Sequence, residues 1–218
     1  MNNAPAPAPA APAATAALAN NLCVVDDDEA VRRSLGLLLL SRGHAVQTFA
    51  SGEDFLAGAD LQRPGCAILD LRLGGMSGLQ VFDALRAQDS PLVVVFLSGH
   101  GDIPMAVAAV QQGAFDWLEK PCNDERLLET IGRALRRAGE IAARQQARRA
   151  AQALWDKLTP REMQVARLVA EGKPNKQIAQ ELAPLEQRTV ETHRAHAFAK
   201  LGLANSHQLD RFLREHGL

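Results

Sequence analysis

The chain has 218 residues, 47% of them hydrophobic, with a formal net charge of −1, enough to bury one mid-sized core and a second, smaller one. No apolar run approaches the roughly 18 residues that a membrane helix needs, so no membrane partner is expected. The near-neutral total hides an asymmetry: residues 1–122 carry seven basic against thirteen acidic side chains, residues 123–218 seventeen against twelve. An acidic half joined to a basic half suits a metal-binding regulator attached to a module that grips a polyanion.

Residues 1–19, MNNAPAPAPAAPAATAALA, are low-complexity Ala/Pro without a basic start or an unbroken apolar stretch. They read as a disordered or polyproline-like tail rather than a secretory signal. Five short apolar runs follow, near 22–26, 45–49, 66–70, 93–97 and 115–119, each followed by a helix-like stretch. Such runs are buried parallel strands in a repeated β/α unit. Helices fit near 29–41, 51–58, 78–88 and 103–112. Val31, Leu35, Leu38 and Leu39 recur at helical spacing in the first, and Gly43 stands at its end. Asp28 and Glu29 suit the N-terminus of that helix, and Asp102 is the expected N-cap of the fourth. A fifth helix starts near Asn123 or Asp124, and EIAARQQARRAAQALWDKL, free of Gly and Pro, predicts a partly helical linker over 139–156. Cys23 and Cys66 fall inside predicted strands and Cys122 beside Pro121; without metal-ligand spacing they read as free thiols in a reducing cytosol.

In such a sheet the carboxyl ends of the strands share one edge, where ligands bind. Asp26 and Asp27 follow LCVV, Asp70 follows CAIL, Ser98 follows VVVFL and Lys120 follows AFDWLE, so three carboxylates, a hydroxyl and an ammonium meet in one pocket. Each has a plainer reading alone: a helix N-terminus for the acidic run, a turn for Asp70 and Ser98, a solvated surface for Lys120. Together they are the parts needed to receive a phosphoryl group on a carboxylate. Mg²⁺ takes hard oxygen ligands such as Asp26, Asp27 and Asp70, while Lys120 and Ser98 can neutralise the transferring oxygens.

VVDDDEAVR, ILDLRLGGMSG, FLSGHGDIPMAV and DWLEKP resemble the receiver domain of two-component response regulators, in that order. The intervals of 28 residues from Asp70 to Ser98 and 22 from Ser98 to Lys120 suit that domain. The resemblance covers about 20–138. LTPREMQVARLVAEGKPNKQIAQEL and RTVETHRAHAFAKLGL resemble the LuxR-type helix-turn-helix, over 157–218. Together the two are similar to the FixJ/NarL class of transcription regulators.

The resemblance implies an α/β fold, a flavodoxin-like doubly wound five-stranded parallel sheet in the order 2-1-3-4-5, followed by a small all-α domain. It implies phosphorylation of Asp70 by a cognate sensor histidine kinase, Mg²⁺ held also by the backbone carbonyl of Arg72, and a cis Lys120–Pro121 bond. Trp117 takes the place of the aromatic switch residue, and Gly74 stands where the family commonly has Pro. It further implies a non-enzymatic cytoplasmic protein with slow self-dephosphorylation, a homodimer on phosphorylation, double-stranded DNA as target and RNA polymerase as a possible partner. In the second domain, 175–182 would be the first helix and 188–201 the recognition helix. Val190, Ala197, Phe198 and Leu201 would face the core; Arg188, Glu191, Thr192, Ala195 and Ala199 would face the major groove. Base contacts would come from Glu191 and Thr192, and phosphate contacts from Lys176, Arg188, Arg194 and Lys200. The turn, one residue longer than usual and containing Pro184, leaves the recognition helix to be capped weakly by Glu186 or Gln187. Two other readings stay open: an interaction module that accepts phosphate without specific DNA binding, and a phosphatase of the haloacid-dehalogenase type, which would need an Asp where Arg72 stands.

Overall fold

A computed structural model describes residues 21–99 and 103–218; the expected tail and the Asp102 cap lie outside these. Strands β1 (Asn21–Val25), β2 (Val46–Phe49), β3 (Gly65–Leu69), β4 (Leu92–Ser98) and β5 (Asp116–Glu119) form one sheet in the order β2-β1-β3-β4-β5, every neighbouring pair parallel. Helices α1 (Glu29–Ser41), α2 (Gly52–Gly58), α3 (Gly78–Ala87) and α4 (Ile103–Gln111) connect them, and α5 (Asp124–Trp155) follows.

Successive side chains of a strand point to opposite faces, so β1, β3 and β4, buried at every position, are covered on both. One face packs Val25, Leu69 and Phe96 against Phe55 of α2 and Val81, Phe82 and Leu85 of α3. The other packs Leu22, Val24, Ile68 and Val95 against Leu39 of α1 and Leu127, Ile131 and Ala134 of α5. Each fully buried Leu or Phe contributes roughly 1.5–3 kcal/mol.

The helix ends follow from local chemistry. Asp28 accepts the N–H groups of Ala30 and Val31 to start α1, and Gly43, at a φ of 81°, follows its end. Ser51 and Ser77 cap α2 and α3, the second through a reciprocal bond with Gln80. Asn123 accepts from Glu125 N at 2.8 Å at the start of α5.

The chain divides into two compact units, the first ending at Ile141 and the second spanning Ala142–Leu218. The stretch expected to be partly helical is one unbroken helix to Trp155. The second unit adds α6 (Pro160–Ala170), α7 (Asn175–Glu181), α8 (Gln187–Leu201) and α9 (Ser206–His216) around Trp155, Val165, Val169, Ile178, Val190, Leu201 and Leu209. Among the described residues no helix is long and apolar enough to cross a membrane.

Candidate functional site

Register places the pocket. Val25 pairs with Leu69 and Leu69 with Phe96, so Asp26 and Asp70, the residues that follow β1 and β3, stand side by side. The backbone continues the ladder past the strand ends: Asp70 N donates to Val25 O at 2.9 Å and Lys120 N to Ser98 O at 2.8 Å. Ser98 is the last residue of β4 rather than the first after it, and it is fully buried. The bond between Lys120 and Pro121 is cis, as expected.

Asp26, Asp27 and Asp70 each offer a carboxylate oxygen within 4.8 Å of the others. Lys120 Nζ lies between two of them, 2.5 Å from Asp26 Oδ2 and 2.6 Å from Asp70 Oδ2. The remaining oxygens of these two carboxylates are oriented by backbone donors: Asp28 N to Asp26 Oδ1 and Arg72 N to Asp70 Oδ1, both at 3.0 Å. Burial pushes the Asp26 carboxyl above its ordinary range, against the pull of Lys120. Burial drags the Lys120 ammonium down, but its hydrogen bonds to Asp26 and Asp70 outweigh this and hold it above its ordinary value. Hard oxygen donors in one cluster fit a divalent cation.

In the second unit, α7 and α8 form a helix-turn-helix. Val190, Ala197 and Leu201 of α8 are buried and Phe198 packs beside them, while Arg188, Glu191, Thr192, Ala195 and Ala199 lie on the other face. That separation is the one expected of a helix that packs on one side and reads DNA with the other.

The family profile described as response regulator receiver domain matches residues 22–132, and that of the bacterial regulatory proteins of the luxR family matches 156–213. The chain is 46% identical to the C4-dicarboxylate transport transcriptional regulatory protein DctR of Rhodobacter capsulatus, over 86% of this chain and 96% of that protein. It is 40% identical to the transcriptional regulatory protein FixJ of Azorhizobium caulinodans, over 86% and 89%. Among solved structures, the response regulator StyR aligns with a TM-score of 0.73 at 36% identity, covering 89% of this chain and 98% of that one. Full-length FixJ from B. japonicum aligns with a TM-score of 0.55 at 36% identity, covering 90% and 96%.

The chain belongs to the FixJ/NarL class of two-component response regulators. It is thus a receiver joined to a LuxR-type DNA-binding domain, a pairing that controls transcription, with a histidine kinase and DNA as its partners.

Within this response regulator the structure shows neighbours that sequence patterns do not reveal. Gly78 opens α3 against the end of β3: a Cβ there would lie 2.1 Å from the carbonyl oxygen of Asp70, so only glycine fits. Glu53 of α2 accepts from Met76 N at 2.9 Å and so ties down the loop after Asp70, the loop that contains Gly74. Trp117 lies in β5 beside Phe96, packed against the α2–α3 side of the core, with its indole nitrogen buried. Cys23 and Cys66 are buried free thiols on opposite faces of the sheet; burial pushes Cys23 up to about 11 and Cys66 higher still.

Of the four side chains expected on DNA phosphates, Lys176 and Arg188 are exposed, while two are engaged within the domain. Arg194 donates to Asn175 Oδ1 at 3.2 Å and lies over the Phe198 ring. Lys200 holds the buried carboxylate of Glu162 at 2.6 Å. Glu162 closes a capping box with Thr159, the signal in LTPRE by which it could have been found. The turn before α8 contains a cis Ala183–Pro184 bond, and Glu186 occupies the N-cap without a side-chain cap hydrogen bond, the weak cap expected.

Proposed function

We propose that Asp70 is the phosphoryl acceptor of this regulator and that the change at Asp70 governs dimerisation and DNA binding. The observation that carries this is the sharing of one ammonium, Lys120, between Asp26 and Asp70, with Asp27 in the same cluster. An oxygen of Asp70 attacks phosphorus as the phosphorus–nitrogen bond of the kinase's phosphohistidine breaks. Lys120 then transfers its contact from Asp70 to the phosphoryl oxygens, and the Ser98 hydroxyl turns toward them. Asp26, Asp27, Asp70 and the Arg72 carbonyl would hold Mg²⁺, which supplies positive charge to the transferring oxygens when bound. Arg72 N–H, already on Asp70 Oδ1, keeps the acceptor oriented throughout.

Space vacated by Ser98 lets Trp117 turn inward and remodels the α4–β5–α5 face. Met105, Val107 and Val110 of α4 are exposed apolar side chains, 38%, 52% and 45% accessible, which a second receiver would cover. Two second domains then bind two half-sites, with Glu191 and Thr192 reading bases, Ala195 allowing close approach, and Lys176 and Arg188 on phosphates. Arg194 and Lys200 join them only by giving up their bonds to Asn175 and Glu162. RNA polymerase contact and a cytoplasmic location complete the reading, with the receiver over 20–138, the linker over 139–156 and the DNA-binding domain over 157–218. The protein catalyses no turnover beyond slow loss of its own phosphoryl group.

Intact mass after incubation with acetyl phosphate and Mg²⁺ tests the acceptor: one phosphoryl adduct on the native chain and none on Asp70→Asn. An adduct that persists on Asp70→Asn places the acceptor elsewhere. Beryllofluoride-treated protein that neither dimerises nor gains DNA affinity refutes the switch.

A further inference from the structure

The two halves of α5 differ in charge. From Asp124 to Glu140, four acids (Asp124, Glu125, Glu129, Glu140) balance four arginines (Arg126, Arg133, Arg136, Arg137), with Arg137 paired to Glu140 at 2.9 Å and Arg133 near Asp116 at 3.8 Å. From Ile141 to Trp155 there are three arginines and no acid. This second half opens the unit that carries the helix-turn-helix, which begins at Ala142.

Burial changes at the same place. Up to Ala138 the helix is amphipathic, burying Leu127, Ile131, Ala134 and Ala138. Ile141 still packs on that core, but Gln145, Arg148 and Gln152 stand at the positions that continue this seam, and Ala143, Arg144, Gln146, Ala147, Arg148, Arg149 and Ala150 are all exposed. Packing resumes at Ala151 and Trp155. A helix that is polar all round is held by its ends and by its alanines, not by a core. Surfaces that serve only solubility mix both signs of charge, whereas this one carries a single sign. Arg144 and Arg148, four residues apart, project from one side about 6 Å from each other along the axis.

We propose that this half of α5, through Arg144 and Arg148, is a second DNA-contacting surface of the regulator, gripping backbone phosphates outside the groove read by α8. The contact carries no sequence information. It adds affinity and salt dependence to every site the protein binds, whether operator or bulk duplex. The proposal rests on DNA binding by the LuxR-type domain and is independent of which residue accepts phosphate.

The test uses the full-length chain and a short duplex of arbitrary sequence, with affinity followed by fluorescence anisotropy across a salt series. In Arg144→Gln/Arg148→Gln, glutamine preserves helix propensity. The slope of log affinity against log salt is expected to become shallower by about 0.9 for each phosphate that is no longer neutralised, or about 1.8 for the pair. Arg136→Gln/Arg137→Gln, the same charge change in the balanced half of the helix, should leave the slope as in the native protein. Helical content by circular dichroism should match in all three proteins. An unchanged slope in the first variant overturns the proposal. An equal drop in both variants overturns it too, since that would be an effect of net charge alone. Weaker transcription from the first variant with a native slope would assign the arginines to a protein partner instead.

Discussion

Two lysines in this chain each hold a buried carboxylate, and the charge around them differs. Lys200 meets Glu162, which also accepts the Thr159 N–H at 2.8 Å; charge and hydrogen bonding close locally, and the second domain gains a fixed joint between α6 and α8. Lys120 meets Asp26 and Asp70 while Asp27 lies in the same cluster, so three carboxylates stand around an ammonium that two of them share. The receiver pocket is left with surplus negative charge, which a cation can neutralise, and with a lysine that can be drawn away by phosphate. The ion pair alone does not distinguish function from structure; the unbalanced charge does.

The largest test of that contrast touches neither lysine. Gly78→Ala would drive a methyl group to 2.1 Å from the carbonyl oxygen of Asp70, so α3 must move off β3. We expect a loss of about 3 kcal/mol or more in the receiver transition. The transition of the second unit should stay in place. Urea unfolding followed by far-UV circular dichroism reads this directly, and a variant as stable as the native protein would contradict the close packing of α3 on β3.

Next in size is Lys200→Met, which leaves Glu162 buried without its cation and should cost the second unit about 2–3 kcal/mol, since removing one partner strands the other. Burial raises the Glu162 carboxyl, but Lys200 and Thr159 outweigh it and hold the group below its ordinary value near 4.5. A carboxyl with a depressed folded value contributes stability above its unfolded value and loses it as pH falls through the folded one. Glu162→Gln should therefore be less stable than the native chain at neutral pH, and the gap should close as the pH drops below about 4. Melting temperatures across that range check the sign; a gap that widens on acidification would show that the pair does not favour the ionised form.

The receiver lysine should behave differently. Lys120→Gln leaves Asp26 and Asp70 facing each other without a cation, so the variant should melt lower than the native protein in metal-free buffer. Saturating Mg²⁺ should recover more stability in the variant than in the native chain, on the order of 2 kcal/mol by mass action. Equal responses to Mg²⁺ would separate the lysine from the proposed metal site.

The pocket was legible because buried parallel strands are written as short apolar runs and the polar residues stand at their ends: Asp26, Asp70, Ser98 and Lys120 could be placed from spacing alone. The strand order came from family resemblance, since nothing in an apolar run says which neighbour it pairs with. Gly78 and Glu53 were not legible in the same way. Their roles depend on the angle at which α3 and α2 cross the sheet, which no local pattern encodes. In the second domain the outward face of α8 followed from helical periodicity. Periodicity does not say that Arg194 is held by Asn175, nineteen residues away, or Lys200 by Glu162, thirty-eight away.

Trp117 offers the smallest effect and the finest probe of the receiver. Its indole nitrogen is buried, and among the described residues it has no hydrogen-bond partner. An unpaired buried donor costs about 1–3 kcal/mol, and Trp117→Phe removes it. The same change gives up part of the apolar area packed beside Phe96, a loss on the order of 1 kcal/mol. The two terms oppose each other, so the unphosphorylated variant should unfold within about 1 kcal/mol of the native protein, unlike a substitution that only shrinks a well-satisfied core residue. A loss of more than about 2 kcal/mol would mean that the indole N–H is satisfied and that the ring is an ordinary core aromatic. Near-neutrality would leave the ring held on the α2–α3 side by packing alone, the condition that the proposed turn of the ring requires.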